Sequence, residues 1–222
     1  MKLLPALVLL TLASSCVMPL TRTASYEPPI PSEVEEKEWT RTIAKPFDQV
    51  WVALVGHVSS SFFAIDAFEK ASGLMTLSFG ASGIGDFVDG GHWKYRQTAG
   101  HDFATGVPYP EVNFDGNYAD YAEQHLNATL KGKMNLFIRT RIEGRTQIRV
   151  RARYILSTSS GTNVYDFDTG GQKTLTVLNA TPNTPPTRTM RPTHMAERSI
   201  LDAVEKLVKK DNKKIAPLPK KK

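Results

Sequence analysis

Residues 126–157 read LNATLKGKMNLFIRTRIEGRTQIRVRARYILS, and this stretch decides the fold. Leu130, Met134, Leu136, Ile138 and Ile142 alternate with Lys131, Lys133, Arg139 and Arg141. Past Glu143-Gly144, a turn signal, Ile148, Val150, Ala152, Tyr154 and Leu156 alternate with Arg149, Arg151 and Arg153. Successive side chains of a strand point to opposite faces of its sheet, so strict alternation marks a strand with one buried and one wet face. Two such runs predict a long antiparallel hairpin. One face must be covered by something apolar, and the other is a stripe of arginine and lysine.

Two helical stripes supply the cover. Phe47, Val50, Trp51, Leu54, Val55 and Val58 recur at helical spacing behind Pro46, whose missing N–H costs nothing in a first turn. Near the other end Ala196, Ile200, Ala203, Val204 and Leu207 mark one face of a second helix. Further strands are predicted at 38–44, at 62–68 and 74–79 around a turn at 69–73, and at 92–97. Val164 to Phe167 and Thr174 to Leu178 read as a weaker pair around Gly170-Gly171, and Pro182, Pro185, Pro186 and Pro192 as an irregular crossing. The order predicts an α+β domain over residues 37–209: a curved antiparallel sheet of about six or seven strands packed by an N-terminal and a C-terminal helix. It resembles the helix-grip fold. The opening unit, Thr42-Ile43-Ala44-Lys45-Pro46-Phe47-Asp48-Gln49-Val50-Trp51 leading to Ala64-Ile65-Asp66 and Ser72-Gly73-Leu74, is similar to the start of BamC-type envelope lipoprotein domains.

The chain has 222 residues, a formal net charge of +6 and one cysteine, which rules out an internal disulfide and a cysteine-rich metal site. Lys2, the apolar run Leu3 to Leu12 and the small residues Ala13-Ser14-Ser15 form a signal peptide over residues 1–15, too short to span a bilayer. Leu12-Ala13-Ser14-Ser15-Cys16 resembles a bacterial lipobox, with Ala13 where that pattern prefers Leu. The resemblance implies that Cys16 is lipidated and heads the mature chain, and Val17 after it implies sorting to the outer membrane, facing the periplasm. An ordinary cleaved leader with Cys16 incidental is the alternative. Residues 16–36 follow as the anchor and a Pro/Glu-rich solvated tether, and residues 210–222 as a disordered basic tail.

Catalytic patterns are missing. His57, His92, His101, His125 and His194 have no His-Glu-x-x-His context, and no Gly-x-Ser-x-Gly elbow occurs. Asp86-x-x-Asp89-x-x-His92 carries ligand-type residues but reads as a glycine-rich turn. Asn113-x-Asp115-x-Asn117 opens like a calcium loop yet lacks the glycine at the sixth position and the closing Glu. The expectation is a protein that is not an enzyme and takes neither metal nor cofactor.

Two surfaces remain for binding. One is the hairpin stripe, with Arg139, Arg141, Arg149, Arg151 and Arg153 as candidate contacts; its alternative is a merely solvated sheet face. The other is residues 99–125, read as a long loop carrying Phe103, Tyr109, Phe114, Tyr118 and Tyr121, either as partner contacts or as a plug over one open end of the sheet. The function expected is that of a non-enzymatic binding or scaffold module for envelope protein partners, with no role for nucleic acid. A small-ligand or lipid carrier, with a cavity between helix and sheet, is the alternative.

Overall fold

A computed structural model describes residues 20–30, 38–101, 106–159, 164–176 and 183–214. The first half contains β1 (Arg22–Glu27), β2 (Thr40–Ile43), α1 (Phe47–Val58), β3 (Ala64–Glu69) and β4 (Leu74–Ala81). Then come a one-turn α2 (Ile84–Phe87), β5 (Val88–Asp89), β6 (His92–Gln97), β7 (Gly100–His101), β8 (Pro108–Tyr109), β9 (Val112–Asn117) and α3 (Tyr118–Leu126). The second half contains β10 (Thr129–Thr140), β11 (Thr146–Ser157), β12 (Val164–Asp168), β13 (Lys173–Thr176), β14 (Thr187–Pro192) and α4 (Met195–Lys214). Helices and antiparallel sheets are mixed along the chain, as the sequence predicts.

β10 and β11 pair over their full length, from Thr129↔Ser157 to Thr140↔Thr146. The hairpin is the centre of a sheet ordered β12-β11-β10-β4-β3, and β2 pairs with the turn end of β11, on the same edge as β12. Leu130, Met134, Leu136 and Ile138 of β10 are buried, as are Ile148, Val150, Ala152, Tyr154 and Leu156 of β11. Ile142 breaks the pattern. It lies in the 3-10 turn after β10 and is 86% exposed, because the chain has already left the sheet.

The helices cover the buried face. α1 contributes Val50, Trp51, Leu54 and Val58, and α4 contributes Ala196, Ile200, Leu201, Val204 and Val208. Each such side chain stabilises the fold by about 1.5–3 kcal/mol when fully buried, Ala less. The buried face of α4 is rotated from the predicted stripe: Leu201 and Val208 are inside, whereas Ala203 is partly exposed and Leu207 is 39% exposed. Packing against both α1 and β11 sets that rotation. Arg41 with Asp202 (2.6 Å) and Arg198 with Glu38 (3.0 Å) tie α4 to β2 and its approach.

Several expectations are corrected. The solvated tether does not extend over 22–27, where β1 pairs with β6 from Arg22↔Gln97 to Glu27↔His92. The reason is Tyr26, whose ring meets Trp93 and Tyr118 and whose hydroxyl donates to the Gly90 carbonyl and accepts from Thr189 N–H. Val164–Asp168 pairs with β11 rather than with Lys173–Thr176, which pairs instead with β14. The proline crossing is therefore a strand from Thr187 onward, with Arg188, Met190 and Pro192 alternately buried and Thr174–Thr189 and Thr176–Thr187 hydroxyl pairs on the other face. α4 continues to Lys214, through the start of the expected tail. The signal peptide, Cys16, Phe103, residues 177–182 and residues 215–222 lie outside the described residues.

Among its described residues the segment 99–125 is mostly regular structure. β9 pairs with β6, so Asn113, Asp115 and Asn117 sit on a strand and not in an ion-binding loop. Asn117 then caps α3: its Oδ1 accepts from Ala119 and Gly90 N–H groups, and its Nδ2 donates to the Gly85 and Val88 carbonyls. Asp120 accepts from Gly85 N–H, and Glu123 from those of Gly83 and Ile84. The glycine-rich turn is thus wrapped around the start of α3, and a Cβ at Gly90 would lie 2.7 Å from the Ala119 nitrogen. That close approach explains the glycine.

Candidate functional site

The open face of the hairpin carries the predicted cations. Facing residues are Lys133↔Arg153, Asn135↔Arg151, Phe137↔Arg149 and Arg139↔Gln147. Like charges side by side on a sheet are unfavourable unless countered, and here the two ends differ. At the end away from the turn, Arg153 Nε donates to Asp166 Oδ1 at 2.8 Å, and Lys133 Nζ lies 3.6 Å from Asp66 Oδ2. The hydrogen bond from Arg153 holds the Asp166 carboxyl below its ordinary range. Asp66 is placed by an irregularity in the β3–β4 pairing and is held by the Ser78 hydroxyl.

Toward the turn the pattern changes. Arg141 donates to Gln147 Oε1 (Nε, 3.0 Å), and the Arg151 guanidinium sits 5.8 Å from the Trp39 ring centroid. Neither contact neutralises charge. The side chains of Arg139 and Arg149 are exposed and make no hydrogen bond or ion pair among the described residues. Phe137, Arg139, Thr140, Arg141, Gln147, Arg149 and Arg151 line one depression of about 420 Å3. The structure thus brings Arg139, Arg141, Arg149 and Arg151 together around one aromatic ring, while Arg153 belongs to an ion pair.

Two rings of the expected aromatic site lie in the core and not on a surface. Tyr118 and Tyr121 are each 1% exposed, which corrects their assignment as partner contacts. They pack with Trp93, Tyr95 and Phe114 between α3 and the small sheet of β1, β6 and β9. α3 is amphipathic, and its apolar side has to be buried like any other. Tyr118 Oη accepts from the buried Arg188, and burial pushes the Tyr121 hydroxyl up to about 12. Phe114 is half-buried in the same cluster; Tyr109 is half-buried under Arg22, 5.2 Å from its ring centroid.

A second polar cluster escaped the sequence reading. Tyr154 Oη donates to Glu197 Oε2 at 2.5 Å, and Thr169 Oγ1 donates to Glu197 Oε1 at 2.9 Å, with Glu197 fully buried. His194 Nδ1 lies 3.6 Å from the same carboxylate, and its ring rests on Trp39. Burial pushes the Glu197 carboxyl up, but Tyr154 and His194 outweigh this and hold it below its ordinary value. Burial and the Glu197 charge together raise Tyr154 well above the usual tyrosine range. A polar-tipped ring at a buried register position of β11 was the available signal.

Of the ligand-type residues, His92 pairs with Asp115 at 2.9 Å and Asp89 lies 3.7 Å from Arg191. Among the described residues no three His, Cys, Asp or Glu side chains gather as a metal site, and no helix is long and apolar enough to cross a membrane. Trp51, Leu54, Ile200 and Val204 from the helices and Leu136, Ile148 and Val150 from the sheet occupy the interior between them. No protein-family model, curated protein or solved structure matches the chain.

Proposed function

We propose that the protein is an envelope lipoprotein, held at the outer membrane by acyl chains on Cys16, that works without catalysis by binding a protein partner through the open face of the hairpin. In this reading the fold is helix-grip-like: a curved sheet holds α1 and α4 on one side and offers the arginine face on the other. The observation that carries it is the uneven compensation of charge, with Arg139 and Arg149 uncountered among the described residues at the rim of the depression around Phe137. Guanidinium groups match carboxylates in a bidentate fork, so the partner segment is acidic, and the Phe137 ring gives it an apolar contact.

The test is a photo-crosslinking residue at position 137 in the full-length protein in its own host cells. The expected adduct is an acidic segment of one envelope protein, reduced about tenfold or more by Arg139→Glu with Arg149→Glu, since opposed charge slows association and weakens the complex. An adduct indifferent to both substitutions sinks the proposal. Labelling with radioactive palmitate, present in the wild type and lost in Cys16→Ala, tests the anchor separately; equal labelling would rule out Cys16.

A further inference from the structure

We infer that a second docking site lies in the groove between the outer faces of α1 and α4, and that its occupant is an amphipathic helix of a partner protein with acidic residues one turn apart along its apolar stripe. The groove has a volume of about 1020 Å3 and its floor is apolar: Val52, Ala53 and Gly56 from α1, Ala203 and Leu207 from α4. Val52 is 68% exposed, although it sits in the middle of a helix. Ala203 and Leu207 are the two stripe positions that the packing of α4 leaves outside the core. Apolar residues from two separate elements therefore meet at the surface in one concavity, which is what a helix-binding groove requires.

Length and charge choose the occupant. The twelve residues of α1 extend about 18 Å at 1.5 Å per residue, the span of a three-turn helix lying alongside. Lys206 and Lys210 line the groove on the α4 side, one turn apart, and neither makes a hydrogen bond or ion pair among the described residues. Asp48, on the opposite wall, is already paired with Lys70 at 2.8 Å. The uncountered charge is positive and repeated at helical spacing. Acids at i and i+4 on a docked helix meet both lysines. A lipid acyl chain does not fit this description: its charge is at one end, and Val52 at 68% exposure shows a floor open to water. This site draws on different residues from the arginine face and stands independently of it.

Gly56 makes the test clean. A Cβ built there meets no heavy atom within 4 Å, so a side chain at Gly56 starts into open space, and Gly56→Trp places a large ring in the groove that Gly56 lines. A photo-crosslinking residue at Val52, in the full-length protein in its own host cells, is expected to capture one protein segment with an amphipathic, acid-flanked helical pattern. Capture should fall at least tenfold in Gly56→Trp and in Lys206→Glu with Lys210→Glu, while a cooperative thermal melt and the adduct at position 137 are retained. Capture of lipid, of a second copy of this chain or of a segment without the acids, no capture above that from the exposed Val164, or capture indifferent to Gly56→Trp each overturns the inference. Loss of the adduct at 137 alone overturns only the arginine-face proposal.

Discussion

At Gly132 the buried face of β10 carries no side chain, and the ring of Phe79 occupies the space: a Cβ there would come within 2.1 Å of it. Gly132→Ala is expected to destabilise the protein by about 1–3 kcal/mol through overpacking, seen as a lower urea midpoint. Glu197 gives the second prediction at this scale. Its carboxyl is held below the ordinary value of 4.5, so the stability it adds is present above that pH and is lost as pH falls through the depressed value. Tyr154 is raised above 10.0, so its contribution holds below that pH and is lost as pH rises beyond it. Tyr154→Phe leaves the carboxylate short of a donor and should cost about 1–3 kcal/mol near neutrality. Urea unfolding of the variant should show that deficit shrinking in acid and the alkaline loss weakened; a deficit independent of pH would mean that the cluster is not linked to proton binding. Alternation alone placed Tyr154 inside the sheet, but which acid meets it depends on how α4 crosses β11, a contact 43 residues away.

Strands that carry their own pattern were legible; those whose pattern comes from a partner were not. β10 and β11 bury one face against the helices and leave the other wet, so their residue types alternate without ambiguity. β1 is exposed at all but one residue and is recognisable only from what Tyr26 touches. Tyr26→Ala is expected to cost about 2–4 kcal/mol, from lost ring packing and two unpaired backbone groups, and to speed amide hydrogen exchange over His92–Gln97. Unchanged exchange there would show that β1 adds nothing to the small sheet. β14 was hidden by Pro185 and Pro186 before it and by Pro192, although Pro192 sits at its last position, where a strand tolerates one. α3 was hidden by its aromatic residues, which in one dimension have the composition of an interface and fill a core once Asn117 starts the helix.

Across the whole molecule, charge decides more than composition does. The two ends of the hairpin have similar residues, yet Asp66 and Asp166 quiet one end and leave the other positive. The stripe was visible from residues 126–157. The countercharges were not, because they arrive from β3 and β12, and a one-dimensional pattern does not tell which acids a sheet brings alongside. If the turn end is the binding surface, raising salt from 0.05 to 0.5 M, roughly a threefold shorter screening length, should slow association far more than dissociation. Arg153→Ala should change neither rate appreciably, since that side chain is occupied by Asp166; surface plasmon resonance distinguishes the two cases.

The first strand also bears on how far the protein can reach. Only the five residues 17–21 separate Cys16 from β1, and an extended chain gains at most about 3.5 Å per residue. An anchor at Cys16 is then a leash of roughly 20 Å. With such an anchor the domain would ride close to the bilayer, and a partner meeting it would itself have to come within a few nanometres of the membrane surface.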